Sequence, residues 1–353
     1  MRVLMVNDLA PGPGSGVEVH LARLIDGLEA AGDAVEAFGG EIRHSGARKA
    51  LDVWDPLARR ELARRAARFR PDVVHYHHVV RELSASVLGA PVGRAARVIT
   101  VHDNRLVGVP DSPRSAVIDR ARLWKNQLDL AMARRHVDAT IAVSPDLAAK
   151  LQSAGFRRVE VIPPFAPRPA VDDVVPVESC TDVVYAGRLT REKGVEVLVS
   201  AMAEVTRQLP SSQLVLVGDG PLRGELTDSA GVRVAGPMDE EGVRREMGRA
   251  RVVAVPSLAS EGAPNVIVEA ALLGRPVVAT DQPTLRELVN SLGCGITVPR
   301  GVAASLAQAL LRLLSEDGLA RRLGATARQH AEARHVTDVA VSRVRDVYAD
   351  LQR

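Results

Sequence analysis

Residues 252–280, VVAVPSLASEGAPNVIVEAALLGRPVVAT, read as strand, loop, helix and strand. The run 252–255 is short, apolar and β-branched, the pattern of a parallel strand covered on both faces. Pro256 ends it, and the loop SLASEGAP brings in Glu261 and Gly262. Pro264 stands where a first helical turn would begin, a position with no use for an amide proton. A helix over 264–273 follows, stopped by Gly274 and by Pro276 soon after.

Two carboxylates stand in this unit, Glu261 in the loop and Glu269 in the helix, with seven residues between them. Glu269 lies among Val266, Ile267, Val268, Ala270 and Ala271, where a charge is costly unless something hydrogen-bonds it. Between the two acids lies a helix N-terminus, whose free amides and positive dipole end favour an anion. A ligand with an anionic centre and hydroxyls on both sides suits this layout, and a nucleoside diphosphate sugar is such a ligand. The plainer alternative is a loop acid in water and a helix acid on an exposed rim.

Outward from this unit the chain alternates strands and helices. In the first half strands are expected at 2–6, 34–38, 72–76, 97–101, 139–143 and 159–162, with helices notably at 17–31, 56–69 and 115–136. A proline-rich stretch without helical period, 163–181, reads as a linker. A second alternating set follows, with strands at 182–186, 213–217, 232–235, 251–255, 276–279 and 296–298 and a helix at 195–208, and helices from about 302 to 353 close the chain. This is the pattern of two doubly wound α/β domains. In such sheets ligands bind beyond the carboxyl ends of the strands, so the polar loops after the strands are expected to face a central cleft.

Composition narrows the function classes. A chain of 353 residues is too long for one ordinary core, and 46% hydrophobic with 25% charged residues is globular. A net charge of +3 and 3% aromatics give neither the basic footprint nor the stacking surface of a nucleic-acid binder. Cys180 and Cys294 are far apart in the chain, with neither metal-ligand nor disulfide-scaffold spacing, which points to a reducing compartment. No apolar run is long enough to span a membrane, and the opening VLMV is interrupted by Asn7 and Asp8, against a secretory leader. A cytoplasmic protein is expected.

Several loops carry chemistry. After the strand at 182–186 comes GRLTREKGV, with Arg188 and Lys193 five residues apart between Gly187 and Gly194. Such a pair suits diphosphate oxygens, Arg gripping as a planar fork and Lys as a point charge, although cations are also common in solvated βα loops. The first βα loop reads APGPGSGVE, where Gly12, Gly14 and Gly16 permit close backbone approach to a ligand. Its spacing is wrong for G-x-G-x-x-G, so a dinucleotide fingerprint is disfavoured. HYHH (His75, Tyr76, His77, His78) and THVD-type residues Thr100, His102 and Asp103 follow two strands of the first half. A metal site is conceivable there. It is disfavoured because adjacent His77 and His78 point to opposite sides of an extended chain, and hydrogen bonding to a sugar or phosphate suits His102 better. Arg59, Arg60, Arg64, Arg65, Arg68 and Arg70 cluster on one helix. That admits a peripheral contact with anionic lipid, with a solvated face over the sheet as the favoured reading.

Taken together these pieces resemble a retaining glycosyltransferase of family 4, with the GT-B fold. The resemblance rests on GSGVEVHLARLIDGLEAAG, DVVHYHH, TVHD, AVSPDLAAKL, GRLTREKGVEVL, LVLVGDGP and SEGAPNVIVEA with LLGRPVVATD behind it, in family order over nearly the whole chain. It implies an N-terminal acceptor domain over 1–168, a nucleotide-sugar donor domain over 182–335, and a final helix over 336–353 packing back on the first. Carried over residue by residue, Arg188 and Lys193 bind the diphosphate, Glu261 contacts the sugar's hydroxyls and Glu269 the ribose diol. Amides from Gly262 through Ala263, Asn265 and Val266 add phosphate contacts. Gly14 and Gly16 let the N-terminal loop close over the diphosphate, His102 lies near the transferring sugar, and Gly236 and Met238 lie near the base. The set His102, Glu261, Arg188 and Lys193 is the expected catalytic one.

The chain departs from the family where many members read IPNGV, having Ile162, Pro163, Pro164, Phe165 and Ala166 instead. It also has Gln282, Pro283 and Thr284 where many have two glycines. No D-x-D pair occurs anywhere, so metal independence is expected, with no cofactor besides the co-substrate. The family's usual picture is front-face attack with the anomeric configuration kept. A sugar phosphorylase of similar fold, with inorganic phosphate in the diphosphate's place, is the alternative. Donor base and sugar, acceptor and oligomeric state have no code in these residues. A lipid-linked glycan, a small polyol and a natural-product aglycone fit the acceptor equally.

Overall fold

The computed structural model describes residues 1–8, 16–39, 54–79, 83–107, 116–170, 174–226, 231–262 and 264–353, with backbone only at 105 and 116–122. It divides into two compact units: Met1–Pro164 with Thr337–Arg353, and Phe165–Val336.

In the first unit the elements run β1 (Arg2–Val6), α1 (Gly16–Ala30), β2 (Ala34–Phe38), α2 (Pro56–Phe69), β3 (Val73–Tyr76), β4 (Ala96–Val101), α3 (Ala116–His136), β5 (Ala139–Ala142), α4 (Pro145–Ser153) and β6 (Val159–Val161). All strand pairs are parallel, in the order β2-β1-β3-β4-β5-β6. Val3, Leu4, Met5 and Val6 are fully buried, as a strand covered on both faces must be. Helix starts follow the cap chemistry. Asp55 accepts from the amides of Leu57 and Ala58 before Pro56 opens α2, and Ser144 accepts from Leu147 before Pro145 opens α4.

The second unit runs β7 (Val183–Ala186), α5 (Val195–Gln208), β8 (Leu214–Val217), β9 (Val232–Gly236), α6 (Glu240–Gly248), β10 (Val252–Val255), α7 (Asn265–Leu272), β11 (Val277–Thr280), α8 (Pro283–Leu292), β12 (Gly295–Val298), α9 (Ala303–Ser315) and α10 (Asp317–Arg334). Its sheet is again parallel, ordered β12-β11-β10-β7-β8-β9. The apolar faces of α5 and α9 close one core, with Leu198, Met202, Val205, Leu306, Leu310 and Leu313 buried together with β7 and β8. The expected α/β class with two Rossmann-like sheets is therefore observed.

Boundaries differ from the sequence reading in two informative places. Pro264 is the N-cap of α7 rather than its first helical residue, because its ψ of 118° is extended. The stretch read as a linker has fixed partners at Ala166, Val175 and Val177 among the described residues. Phe165 is buried, Ala166 donates its amide to His335 O (2.9 Å), and Val175 donates to Gly248 O (3.1 Å). Two arginines buried to 1% exposure complete the attachment. Arg251 donates to Val177 O and Leu313 O, and Arg275 to Val175 O and Ala250 O. A proline-rich segment has few amides of its own to offer, so buried guanidinium groups satisfy its carbonyls instead.

The last helix, α11 (Thr337–Gln352), belongs to the first unit and lies against α1. A Cβ on Gly27 would come within 2.5 Å of Val341 Cγ2, so the close helix approach depends on that glycine. Tyr348 on α11 places its hydroxyl 2.6 Å from His75 Nδ1 beneath the sheet's carboxyl edge.

Candidate functional site

Strand order locates a site in each unit. In the second sheet the chain leaves β7 outward through β8 and β9, then returns to place β10 on β7's other side. The loops after β7 and β10 thus diverge from a topological switch point, where doubly wound sheets bind ligands. These are the loops that carry Arg188, Lys193 and Glu261.

The two loops are stitched together. Glu192 O accepts the amides of Leu258 (2.8 Å) and Ala259 (3.0 Å). Gly194, at φ +72°, turns the chain into α5, and a Cβ there would lie 2.0 Å from Pro256 O. We expect Gly194→Ala to destabilise the chain by about 2 kcal/mol or more, through left-handed strain plus this clash. Urea denaturation would check it, and an unchanged midpoint would show that the loops can part freely.

Across this seam Lys193 Nζ donates to Glu261 Oε1 at 2.6 Å, with side chains 26% and 13% exposed. The Ser257 hydroxyl donates to the same oxygen. Ser257 O in turn accepts from Thr280 Oγ1 (2.7 Å) and Gln282 Nε2 (2.6 Å). Gln282, part of the departure from the family pattern, is buried and holds the Glu261 loop in place. The Tyr185 hydroxyl donates to Arg188 O at 2.7 Å. Burial, and then the Glu261 carboxylate, push the Tyr185 phenol up, while Arg188 acts in the opposite sense. One phenol thus feels both loop charges, which puts Arg188 and Glu261 in a common electrostatic neighbourhood. The Arg188 side chain is exposed and has no hydrogen-bond or ion-pair partner among the described residues.

Behind Glu261, Gly262, Asn265, Val266 and Glu269 are all half-buried, the last three on the first turns of α7. The opening amides of a helix have no partner within it, and this helix has no side-chain cap. Gly236 ends β9 at φ +80°, and Met238 beyond it is 37% exposed. The expectations on Gly12, Gly14 and Ala263 lie outside the described residues; Gly16 is the first residue of α1.

In the first unit the switch point falls between β1 and β3. His77 follows β3, His102 follows β4, and His20 comes from α1. His77 Nδ1 lies 3.0 Å from His102 Nε2, and the His20 and His102 rings meet edge-on with centroids 4.8 Å apart. The expected divergence of His77 and His78 is incomplete, because the chain bends at His78: both rings lie near His102, with centroids 5.3 and 6.0 Å away, and His78 Nε2 lies 3.3 Å from Asp103 Oδ2. Burial lowers the pKa of His20 and of His75 to about 3 and holds His77 and His102 well below the imidazole range, with neighbouring charges adding to the effect. One nitrogen from each of His20, His77 and His102 lies within 4.8 Å of the other two, the one such trio of candidate metal ligands among the described residues. The sequence reading did not single out His20, Tyr185 or Ser257. The first is on a helix and the second on a core strand, so only the fold brings them to a site; Ser257, four residues before Glu261, had only proximity as a signal.

The arginines of α2 are largely engaged within the protein. Arg59 stacks 4.6 Å over Trp54 and donates to Gly89 O, Arg64 pairs with Glu61, and Arg68 pairs with Glu36. Among the described residues no helix is long and apolar enough to cross a membrane.

Comparison with known proteins follows the division of the chain. Residues 14–167 match the model of Glycosyltransferase Family 4, and residues 180–316 that of Glycosyl transferases group 1. An alpha-D-kanosaminyltransferase of Streptomyces kanamyceticus is 31% identical over 48% of this chain and 45% of its own length. A phosphatidyl-myo-inositol mannosyltransferase of Mycobacterium leprae is 31% identical over 67% of this chain and 58% of its own length. The enzyme of that name from Mycolicibacterium smegmatis is 28% identical over 93% and 88%. So the chain spans about half the length of the first two relatives and most of the third. Among solved structures, HepE of Anabaena in complex with UDP superposes with a TM-score of 0.74 at 20% identity, covering 99% of this chain and all of that one. Sucrose-phosphate synthase of Thermosynechococcus elongatus does so with 0.76 at 23%, covering 99% and 98%. These structural likenesses speak to the fold. With a glycosyltransferase model on each sheet, and the charged seam at the second sheet's switch point, the chain belongs to glycosyltransferase family 4 and has its GT-B fold.

Proposed function

We propose that this glycosyltransferase moves a sugar from a nucleoside diphosphate sugar to an acceptor hydroxyl, retaining the anomeric configuration and needing no metal for the transfer. The observation that carries the reading is the contact of Lys193 with Glu261 at the switch point of the second sheet, beside Arg188 and the start of α7. As the anomeric C–O bond breaks, its electron pair leaves on the diphosphate. Preorganised cations and helix amides stabilise charge that develops there. In the proposed arrangement Arg188 and Lys193 grip the diphosphate, with amides from Gly262, Ala263, Asn265 and Val266. Glu261 accepts from the sugar's hydroxyls and Glu269 from the ribose diol, Gly236 and Met238 border the base, and Gly14 and Gly16 belong to a loop that closes on the donor. His102 serves the transferring sugar. The acceptor oxygen bonds to the anomeric carbon on the leaving group's face, and its proton passes to a phosphate oxygen of the donor. The relatives' names, a kanosaminyltransferase and mannosyltransferases of phosphatidyl-myo-inositol, support sugar transfer, and the proposed arrangement has the donor domain in the second unit and the acceptor domain in the first. They leave sugar and acceptor to experiment.

A thermal-shift screen of nucleotide diphosphates and their sugars identifies the donor, because a bound ligand raises apparent stability. Product formed from that donor is then assigned by NMR of its anomeric proton. Retention is expected, and inversion rejects the mechanism. Turnover is expected to continue in excess chelator; collapse that Mg²⁺ or Mn²⁺ reverses would show that the cations Arg188 and Lys193 do not suffice.

A further inference from the structure

We propose that His20, His77 and His102 form a binding site for a divalent transition metal of the zinc class, built entirely within the first unit. The three rings come from three elements, α1 and the segments after β3 and β4, and they converge because those strands are neighbours in the sheet. Nitrogens in a tetrahedral zinc shell stand roughly 3.3 Å apart, from zinc–nitrogen bonds of about 2.0–2.1 Å. The trio's nitrogens all lie within 4.8 Å of one another, and those of His77 and His102 are 3.0 Å apart.

The surroundings are those of a supported site. His77 packs on His75 with centroids 4.4 Å apart. His75 is clamped between the hydroxyls of Tyr348 (2.6 Å) and Thr100 (2.7 Å). Beside His102, the Asp103 carboxylate lies 3.3 Å from His78 Nε2. Yet the cluster does not satisfy itself. His77 is 3% exposed and its Nε2 has no hydrogen-bond partner among the described residues. A buried polar nitrogen without a partner is costly, and three facing imidazoles cannot all donate to one another.

Ligand type sets the metal's class. Imidazole suits zinc, cobalt, nickel and copper, whereas magnesium, calcium and manganese prefer oxygen donors. Three protein ligands leave a fourth position for water or an added anion, as in zinc sites that stay open. Once bound, the metal withdraws His102 from the sugar; that consequence rests on the proposed transfer reaction, while metal binding does not.

The test uses the full chain after dialysis against chelator, without any nucleotide sugar. Titration with Co²⁺, followed by visible absorption, and displacement by Zn²⁺ should show one site per chain, unaffected by excess Mg²⁺. His77→Gln and His20→Gln should each weaken binding by about 10²-fold, and His330→Gln, on α10, should leave it unchanged. X-ray absorption of the zinc-loaded wild-type chain should show three imidazole ligands, a readout that needs no variant to fold. No Co²⁺ or Zn²⁺ binding, binding that survives both His→Gln changes, or fewer than three imidazoles in the zinc shell would overturn the site. Each of these results would leave the proposed sugar transfer standing.

Discussion

Lys193→Ala is expected to lower kcat/KM for donor turnover by about 10²-fold or more, the usual effect of removing one preorganised charge contact from a developing anion. The fall should appear mainly in kcat, because the charge on the leaving diphosphate grows in the transition state. Stability should change little by comparison. The ammonium is partly exposed, and Glu261 keeps the Ser257 hydroxyl as a donor. Lys193→Arg should recover part of the rate, since it restores the charge with a different reach. Steady-state kinetics on the three proteins, with melting temperatures alongside, would decide. Near-wild-type turnover in Lys193→Ala would remove this residue from the site. A large loss of melting temperature would instead make its pairing with Glu261 a structural strut.

The second large effect concerns acid. His20 and His75 have folded-state pKa values of about 3, lowered by burial from 6.5. After burial, Arg23 lowers the His20 value and His20 lowers that of His75, whose ring is hydrogen-bonded to the neutral hydroxyls of Tyr348 and Thr100. Burial and these like charges all lower the two pKa values. Between pH 6.5 and about 3 the unfolded chain therefore binds more protons than the folded one. Stability rises with pH across that window, is complete above 6.5 and is lost as the pH falls. At pH 5 each of the two residues removes about 2 kcal/mol, a large share of a domain's ordinary 5–15 kcal/mol. Both tryptophans, Trp54 and Trp124, lie in the first unit, so their emission reports this unit. Urea unfolding in metal-free buffer should show its midpoint dropping steeply from pH 7 to pH 5. His75→Gln should reduce the slope by about one proton. A midpoint flat over that range would mean that water or structural relaxation accommodates the imidazolium.

How much of this was legible in the residues differs from element to element. The two sheets were readable because a buried parallel strand is a local pattern: VLMV in β1, LVLV in β8 and VVAV in β10 are apolar runs bounded by glycine, proline or polar turns. The helix at 56–69 was equally readable, since helical spacing is local, whereas its Asp55 cap and the Ser144 cap of α4 came only with the structure. Arg188, Lys193, Glu261 and Glu269 were nameable because they stand in loops or first turns after such strands, where chemistry collects. Strand order was not readable. It brings Lys193 to Glu261 across 68 positions, and it makes the loops after β7 and β10 neighbours.

The same distinction explains what the residues concealed. His20 belongs to an ordinary helix pattern, and only the position of β1 between β2 and β3 turns it toward His77 and His102. Gln282 looked like a departure from a family pattern, yet its amide fastens the Glu261 loop. The stretch from 165 looked like a tether until Arg251 and Arg275, from the second sheet's own loops, were seen to bind its carbonyls. Sequence by itself determined the alternation of strands and helices and which loops carry charge, because periodicity and turn chemistry act over a few residues. Tertiary structure alone decided which loops meet, which histidines are buried together and which charges are paired, because those depend on strand order and on contacts between residues far apart in the chain.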